Sequence, residues 1–418
     1  MKCSTFTCYY ATSEMKSHKN TGFYGIIQAI QSAKQKTKTQ DRGPNTGKEL
    51  YGVKKKMPVR KKVLIVLACV LVLVIAGAWI LTEVECSRFF GRRYETDKLT
   101  RQRAEFYDGL ERTQYIFPSD KGQKLTGYLY SSGSDQKGII IFAHGYGGGQ
   151  SYYMNCADYF AKHGYYVFAF DATGSEESEG ESTRGLPQGM IDLSYAISFV
   201  EESGNFPRLP IALFGHSWGG YCVSAVLTLH PEVEAVVACS GYNDSLGIFI
   251  SEGKAIAGPA VYLTLPFLRL HDYIKFGKYS TITAEDGFNN TDARIMIVHS
   301  MDDKVVPTEI GYDIYYRNHK DDPRFSFICY EDKGHRYFHE ATPYVTETDE
   351  AYQQWLETLD YDYNDKANAE RLEKDREKYY QVNVDVKKYW ENRLNRELLD
   401  KLLEFYDSSL SNKINTEN

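Results

Sequence analysis

IALFGHSWGGYCVSAVL, residues 211 to 227, runs from a short apolar stretch through a glycine-flanked serine into a second apolar stretch. The first part has the length and composition of a buried strand, and the second has those of a helix. Between them stands Gly215-His216-Ser217-Trp218-Gly219, a G-x-S-x-G set at a strand-to-helix turn. So sharp a turn puts its central residue in a strained backbone conformation, and side chains two positions to either side would collide with neighbouring elements. Ser217 is thereby lifted above a sheet at a helix N-terminus, where the dipole favours negative charge developing nearby.

Outward from this turn the chain alternates strands and helices from residue 110, the pattern of a mostly parallel sheet with helices on both faces. The spacing predicts strands in TQYIFP from 113, KLTGYLYSS from 124, GIIIFAH from 138, YYVFAFD from 165, PIALFGH from 210, VEAVVACS from 233, RIMIVHS from 294 and RFSFICY from 324. The central ones are continuous apolar runs, as strands buried on both faces require. Helices are predicted over 151–163, 187–203, 218–229 and 307–318. Residues 241–292 interrupt the alternation with an insert too apolar for a solvated loop, including Phe249, Leu263, Phe267, Leu268 and Phe276, and this reads as a small helical cap. Residues 349–418 form a charged helical extension in which Leu394, Leu398, Leu402 and Phe405 recur at helical spacing, so one face docks on the core or on a partner.

Three further segments carry a family resemblance together with the serine turn. His144-Gly145-Tyr146-Gly147-Gly148-Gly149 follows the strand GIIIFA; IVHSMDDKVVP ends the strand from Arg294; and Gly334-His335 stands in the loop after the last strand. From residue 113 to 346 the chain resembles the α/β-hydrolases, and within them the serine hydrolases grouped with monoacylglycerol lipases and serine aminopeptidases. The resemblance implies an α/β-hydrolase domain over 113–348 with its cap at 241–292. It also implies that the backbone N–H groups of Tyr146 and Trp218 form an oxyanion hole, which needs no particular side chain. A phosphate cradle is excluded for the glycine loop, since neither G-x-G-x-x-G nor a P-loop lysine is present.

The same resemblance aligns Asp303 with the catalytic acid and His335 with the base. Asp302, adjacent, is the alternative acid and otherwise a cap for the following helix; His339, one turn on, is the competing base. His144 and His216 read as structural, their rings tied to nearby backbone. The loop FAFDATGSEESEG departs from the family pattern in placing Glu176 where a glycine is usual, and in it Asp171 and Gly174 read as turn-setting. The order Ser217, Asp303, His335 is the one this fold imposes. Acyl transfer in two steps follows: Asp303 fixes the His335 tautomer, His335 takes the Ser217 proton, and two N–H groups hold the oxyanion. No cofactor or metal is implied.

The chain has 418 residues, with 42% hydrophobic and 25% charged, which is ordinary globular usage. Its net charge of −7 argues against a nucleic-acid partner. The run Val63 to Leu81 carries no charge and, as a helix, rises about 28 Å at ~1.5 Å per residue, enough for a transmembrane helix. Lys54, Lys55, Lys56, Arg60, Lys61 and Lys62 precede it, placing the N-terminus in the cytoplasm and the remainder outside. Ala76-Gly77-Ala78 offers the rival, cleavage after Ala78 and secretion. Residues 1–62 read as a polar, basic segment, with Met57 an alternative start of translation, and 82–112 as a linker with a helix. No two of the eight cysteines form a C-x-x-C pair, so zinc is not indicated, and Cys86, Cys156, Cys222, Cys239 and Cys329 read as buried free thiols. The functional expectation is a membrane-anchored serine hydrolase of carboxylic esters acting on a small or lipid-like acyl substrate. A serine aminopeptidase or amidase is the alternative, and a non-catalytic binding module on the same fold a further one.

Overall fold

The computed structural model describes residues 57–133 and 136–414. Of the basic segment expected over 1–62, residues 1–56 lie outside the described residues, and so does Met1 as the rival start to Met57. A single sheet contains β1 (Glu111–Pro118), β2 (Lys124–Ser131), β3 (Ile139–Ala143), β4 (Tyr166–Phe170), β5 (Ile211–His216), β6 (Ala235–Cys239), β7 (Arg294–Ser300) and β8 (Phe325–Tyr330), in the order β1-β2-β4-β3-β5-β6-β7-β8. β1 and β2 pair antiparallel, β2 meets β4 antiparallel, and the remaining pairs are parallel.

Alternate residues of each central strand feed two separate cores, the consequence of a two-residue side-chain period in strands buried on both sides. Ile139, Ile141, Leu213, Val236 and Ile297 enter the core covered by α3 (Leu186–Glu202), α4 (Trp218–Ala225) and the β6–β7 insert. Ile140, Phe142, Ala212, Phe214, Val237 and Val298 enter the core covered by α2 (Met154–Lys162) and α12 (Arg396–Ile414). The C-terminal helix contributes Leu398, Leu399, Leu402, Phe405, Tyr406 and Leu410 to that second core, and Tyr406 Oη donates to the Leu213 carbonyl of β5 at 2.8 Å.

The insert between β6 and β7 folds as α5 (Ser245–Ala257), α6 (Leu265–Phe276) and α7 (Ala284–Phe288), with short 3₁₀ turns between them. α5 starts on Asp244, whose side chain accepts from Gly247 N, and α7 starts on a Thr283/Asp286 capping box. Leu268 and Phe276 turn inward, whereas Tyr262, Leu263, Leu270, Tyr273 and Ile274 stay exposed.

α1 (Val59–Phe90) contains the uncharged run, and its apolar window has none of its residues buried. It is long and apolar enough to cross a membrane. In the stretch 82–112, read from the sequence as a linker with a helix, α1 continues to Phe90, because charges at Glu83, Glu85 and Arg88 end an apolar span without ending a helix, and beyond it a 3₁₀ turn forms at Ala104–Phe106. Cys86, Cys156, Cys222 and Cys239 are buried free thiols, but Cys329 is exposed, since it lies on β8 at the sheet edge.

The chain divides into two compact units. One, from Val74 to Val345 and from Tyr380 onward, holds the whole sheet. The other holds the described residues up to Leu73 and Thr346–Tyr379. In the latter, the Trp355 ring lies 5.5 Å from Tyr352 and 4.6 Å from Tyr379, and Arg371 sits over Tyr361 while pairing with Asp360 at 2.6 Å. The remaining helices are α8 (Tyr312–His319), α9 (Pro343–Glu357), α10 (Ala369–Asn383) and α11 (Val386–Glu391).

Candidate active site

Ser217 joins β5 to α4 with φ 57° and ψ −114°, a left-handed conformation that costs a non-glycine residue about 1–3 kcal/mol. The flanking glycines are required by contact. A Cβ on Gly215 would strike the Gly219 backbone, and one on Gly219 would strike the Ala143 carbonyl of β3. Tight packing of the turn against β3 thus holds Ser217 in its strained form, at the carboxyl end of a central parallel strand where sites of such sheets gather.

Asp303 follows β7. It is buried, and its oxygens are fully engaged: Oδ1 accepts from Val305 N and Val306 N, each at 2.9 Å, while Oδ2 accepts from Ser240 Oγ at 2.8 Å and pairs with His335 Nδ1 at 2.7 Å. Burial alone would raise its pKa. The hydrogen bond and charge of His335, with the Val306 N–H and the Ser240 hydroxyl, outweigh burial and bring the carboxyl down to about 2. A carboxylate held ionised makes Nδ1 the protonated nitrogen of the neutral ring and leaves Nε2 as an acceptor.

Asp302 does not cap the next helix. Its Oδ1 accepts from Ser300 Oγ at 2.7 Å and from Gly334 N at 2.8 Å, so it ties down the loop that carries His335. His339 is buried away from Asp303, against the Tyr152 and Trp390 rings at 5.0 and 5.2 Å. Neither alternative therefore occupies the acid–base pairing that Asp303 and His335 make.

His216 connects three parts of the site. Gly145 N donates to Tyr153 Oη at 3.0 Å, Tyr153 Oη contacts His216 Nδ1 at 2.9 Å, and His216 Nε2 donates to the His335 carbonyl at 2.8 Å. The glycine loop, the serine turn and the histidine loop are thus pinned through one buried imidazole, whose burial keeps its pKa well below the usual value. The rings of His216 and His335 stand 4.6 Å apart. Ser217 Oγ makes no hydrogen bond among the described residues. Contacts of this kind often close only around a bound substrate.

His144 is also structural: Nδ1 donates to the Gly145 carbonyl at 2.8 Å, Nε2 accepts from Ala172 N at 3.0 Å, and burial lowers its pKa to about 4. Among the described residues the backbone N–H groups of Tyr146 and Trp218 have no acceptor, and the two rings meet edge to face at 5.5 Å. Asp171 accepts from Gln150 N at 2.9 Å, and burial pushes its pKa up to about 7. Glu176 sits at φ 45° where a glycine would be at ease. Its carboxylate holds Thr96 N at 2.6 Å and pairs with Arg101, so the residue fastens the segment after α1 to this loop.

Sequence reasoning missed Ser240, which is fully buried at φ 46° and donates to Asp303. It stands at the carboxyl end of β6, next to the serine strand, a place that no sequence motif marks. Tyr153 and His299 were missed as well. His299 Nε2 donates to the Val306 carbonyl at 2.8 Å and lies 3.6 Å from Asp303 Oδ2, helping to fix the Asp303 loop.

A strand order with β1 and β2 antiparallel at one edge, a serine elbow after β5, an acid after β7 and a histidine after β8 decides the architecture. The chain has the α/β-hydrolase fold. Residues 134–281 of this chain match the family described as Serine aminopeptidase, S33. A monoacylglycerol lipase of Mycolicibacterium smegmatis is 26% identical over 132 residues, covering 31% of this chain and 46% of the lipase, so the match spans about half of that relative's length. Among solved structures, a Pyrococcus furiosus esterase is similar at 21% identity and a TM-score of 0.43, covering 59% of this chain and 91% of the esterase. An acylaminoacyl peptidase of Pyrococcus horikoshii is similar at 19% identity and a TM-score of 0.42, covering 55% and 38%.

Proposed function

We propose that the protein is a membrane-anchored serine hydrolase that cleaves carboxylic esters, with Ser217 as nucleophile, His335 as general base and Asp303 as its partner. The observation that carries this reading is the 2.7 Å contact between His335 Nδ1 and a buried, ionised Asp303, in a loop tied through His216 to the strained Ser217 turn. With Nδ1–H committed to Asp303, His335 Nε2 accepts the Ser217 proton as Oγ attacks the carbonyl carbon. The N–H groups of Tyr146 and Trp218 receive the oxyanion, the second of them at the N-terminus of α4. The imidazolium then protonates the leaving alcohol, and water, activated by the same ring, releases the acyl group and restores Ser217. The chemistry needs no metal or cofactor.

Ester cleavage of an apolar substrate is favoured by the insert, whose Leu246, Ile248 and Phe249 pack partly buried against the core that includes Trp218. The match to a family named for aminopeptidases supports peptidase or amidase action as the second reading. Residues 63–81 serve as the membrane anchor, with the basic flank cytoplasmic and the catalytic domain outside, or released if cleavage follows Ala78.

Hydrolysis of p-nitrophenyl esters and of aminoacyl anilides by the full chain and by Ser217→Ala tests the assignment. Faster turnover of esters, abolished by the substitution, is expected. Preference for anilides would install the peptidase reading, and a folded protein inert to both would make the domain a binding module.

A further inference from the structure

The side chain of Tyr146 poses a question that its proposed role leaves open, because an oxyanion donor needs only its backbone N–H. Here the ring and hydroxyl are both engaged, and by the end of α1. Tyr146 Oη donates to the Phe89 carbonyl, and Tyr94 Oη donates to the same carbonyl at 3.1 Å. That oxygen is among the last carbonyls of a helix, which have no intrahelical partner and sit at the negative end of the dipole, so two tyrosine hydroxyls cap it.

The rings continue the contact. Phe90, only 6% exposed, meets Tyr146 edge to face at 5.8 Å and Phe249 of the insert at 5.5 Å. Tyr94 packs on Tyr146 from another side at 5.0 Å, and Tyr146 in turn meets Trp218, whose Nε1 is held by the Leu186 carbonyl at 2.8 Å. About two turns earlier, Glu83 pairs with buried His271 of α6 at 2.8 Å, so the same helix end also grips the insert. Gly147, directly after Tyr146, has φ 84°, so the loop has little intrinsic preference for one shape and depends on side-chain contacts to hold it.

We propose that the exit turns of α1, through the Phe89 carbonyl and the Phe90 ring, are a positioning element of the active site that fixes Tyr146 and hence its N–H. This rests on the oxyanion assignment made above. In consequence the apolar helix does more than tether the hydrolase: its seating against the glycine loop sets the catalytic rate, and release of that helix end would switch the enzyme down without touching Ser217, Asp303 or His335.

The test uses the full chain in detergent micelles with a p-nitrophenyl ester, comparing Tyr146→Phe, Phe90→Ala, Phe90→Leu and, as a control elsewhere in α1, Leu71→Ala. A donor that acts on charge developing in the transition state affects kcat rather than KM. Tyr146→Phe and Phe90→Ala are therefore expected to lower kcat about tenfold with KM within about twofold, the scale of a slightly misplaced oxyanion donor. Phe90→Leu restores most of kcat and Leu71→Ala matches the parent. Unchanged kcat in folded Tyr146→Phe and Phe90→Ala overturns the proposal, and if Phe90→Ala does not fold, Tyr146→Phe decides alone, since it keeps the ring and backbone. Ester hydrolysis persisting in Ser217→Ala would instead overturn the site assignment itself, whereas an inert Ser217→Ala beside fully active Tyr146→Phe and Phe90→Ala sinks only the helix coupling.

Discussion

Asp303 shows how much of the site depends on one carboxylate. It accepts from the His335 ring, the Ser240 hydroxyl and two backbone N–H groups, and no other described side chain offers the imidazole an equivalent. Asp303→Asn is expected to lower kcat by roughly 10⁴, as loss of the correct imidazole tautomer does in serine hydrolases. The substitution also has a signature in stability. The folded-state pKa of Asp303, about 2, lies below its unfolded value near ~3.9, so its contribution is present above about pH 4 and is lost as pH falls toward 2. Thermal melts from pH 2 to 6 should show the gap between parent and Asp303→Asn narrowing on acidification; a gap independent of pH would contradict this. The family resemblance favoured Asp303 over Asp302, but spacing alone does not separate adjacent residues, which differ only in direction, and direction comes from the turn that Val305 and Val306 close on Asp303. Ser240 was out of reach for a related reason: no motif marks a serine whose role arises from the neighbouring strand.

At the scale of elements, the strands were legible because burial on both faces leaves an unbroken apolar run, as in GIIIFA and IALFG, and the flanking helices because glycines and prolines punctuate them. The end of α1 was not. Hydropathy registers the part of a helix suited to lipid, and Thr82 to Phe90 are helical because Cys86 and Phe90 pack into the core of the sheet domain. Glu176 belongs to this level as well. A glycine there would relax the backbone, yet the carboxylate secures Thr96 and Arg101, and Arg93 Nη2 donates to the Glu176 carbonyl at 2.8 Å. Glu176→Gly is therefore expected to loosen residues 92–103, with a net loss on the order of 1 kcal/mol after the relief of backbone strain is subtracted. Limited trypsin digestion reads this directly: cleavage at Arg92, Arg93 and Arg101 should accelerate severalfold, and an unchanged pattern would show that the glutamate holds nothing.

For the whole molecule, the decisive property is convergence over sequence distance. Ser217, Asp303 and His335 are carried by the ends of β5, β7 and β8, and a parallel sheet sends those ends to the same edge whatever the length of the helices between them. The insert of three helices between β6 and β7 leaves that register untouched, since β6 and β7 still pair from Ala235 to Cys239. Chain order alone thus conveys the arrangement once the strands are identified, while the contacts that tune it, through Tyr153, His216, Ser240 and the end of α1, depend on packing between segments that no local pattern links. The most direct measurement is exposure of the full chain in detergent to a fluorophosphonate, followed by mass-spectrometric mapping of the adduct. A single adduct on Ser217, lost in His335→Ala, is the result expected; folded protein that takes no label, or takes it on another hydroxyl, contradicts the account.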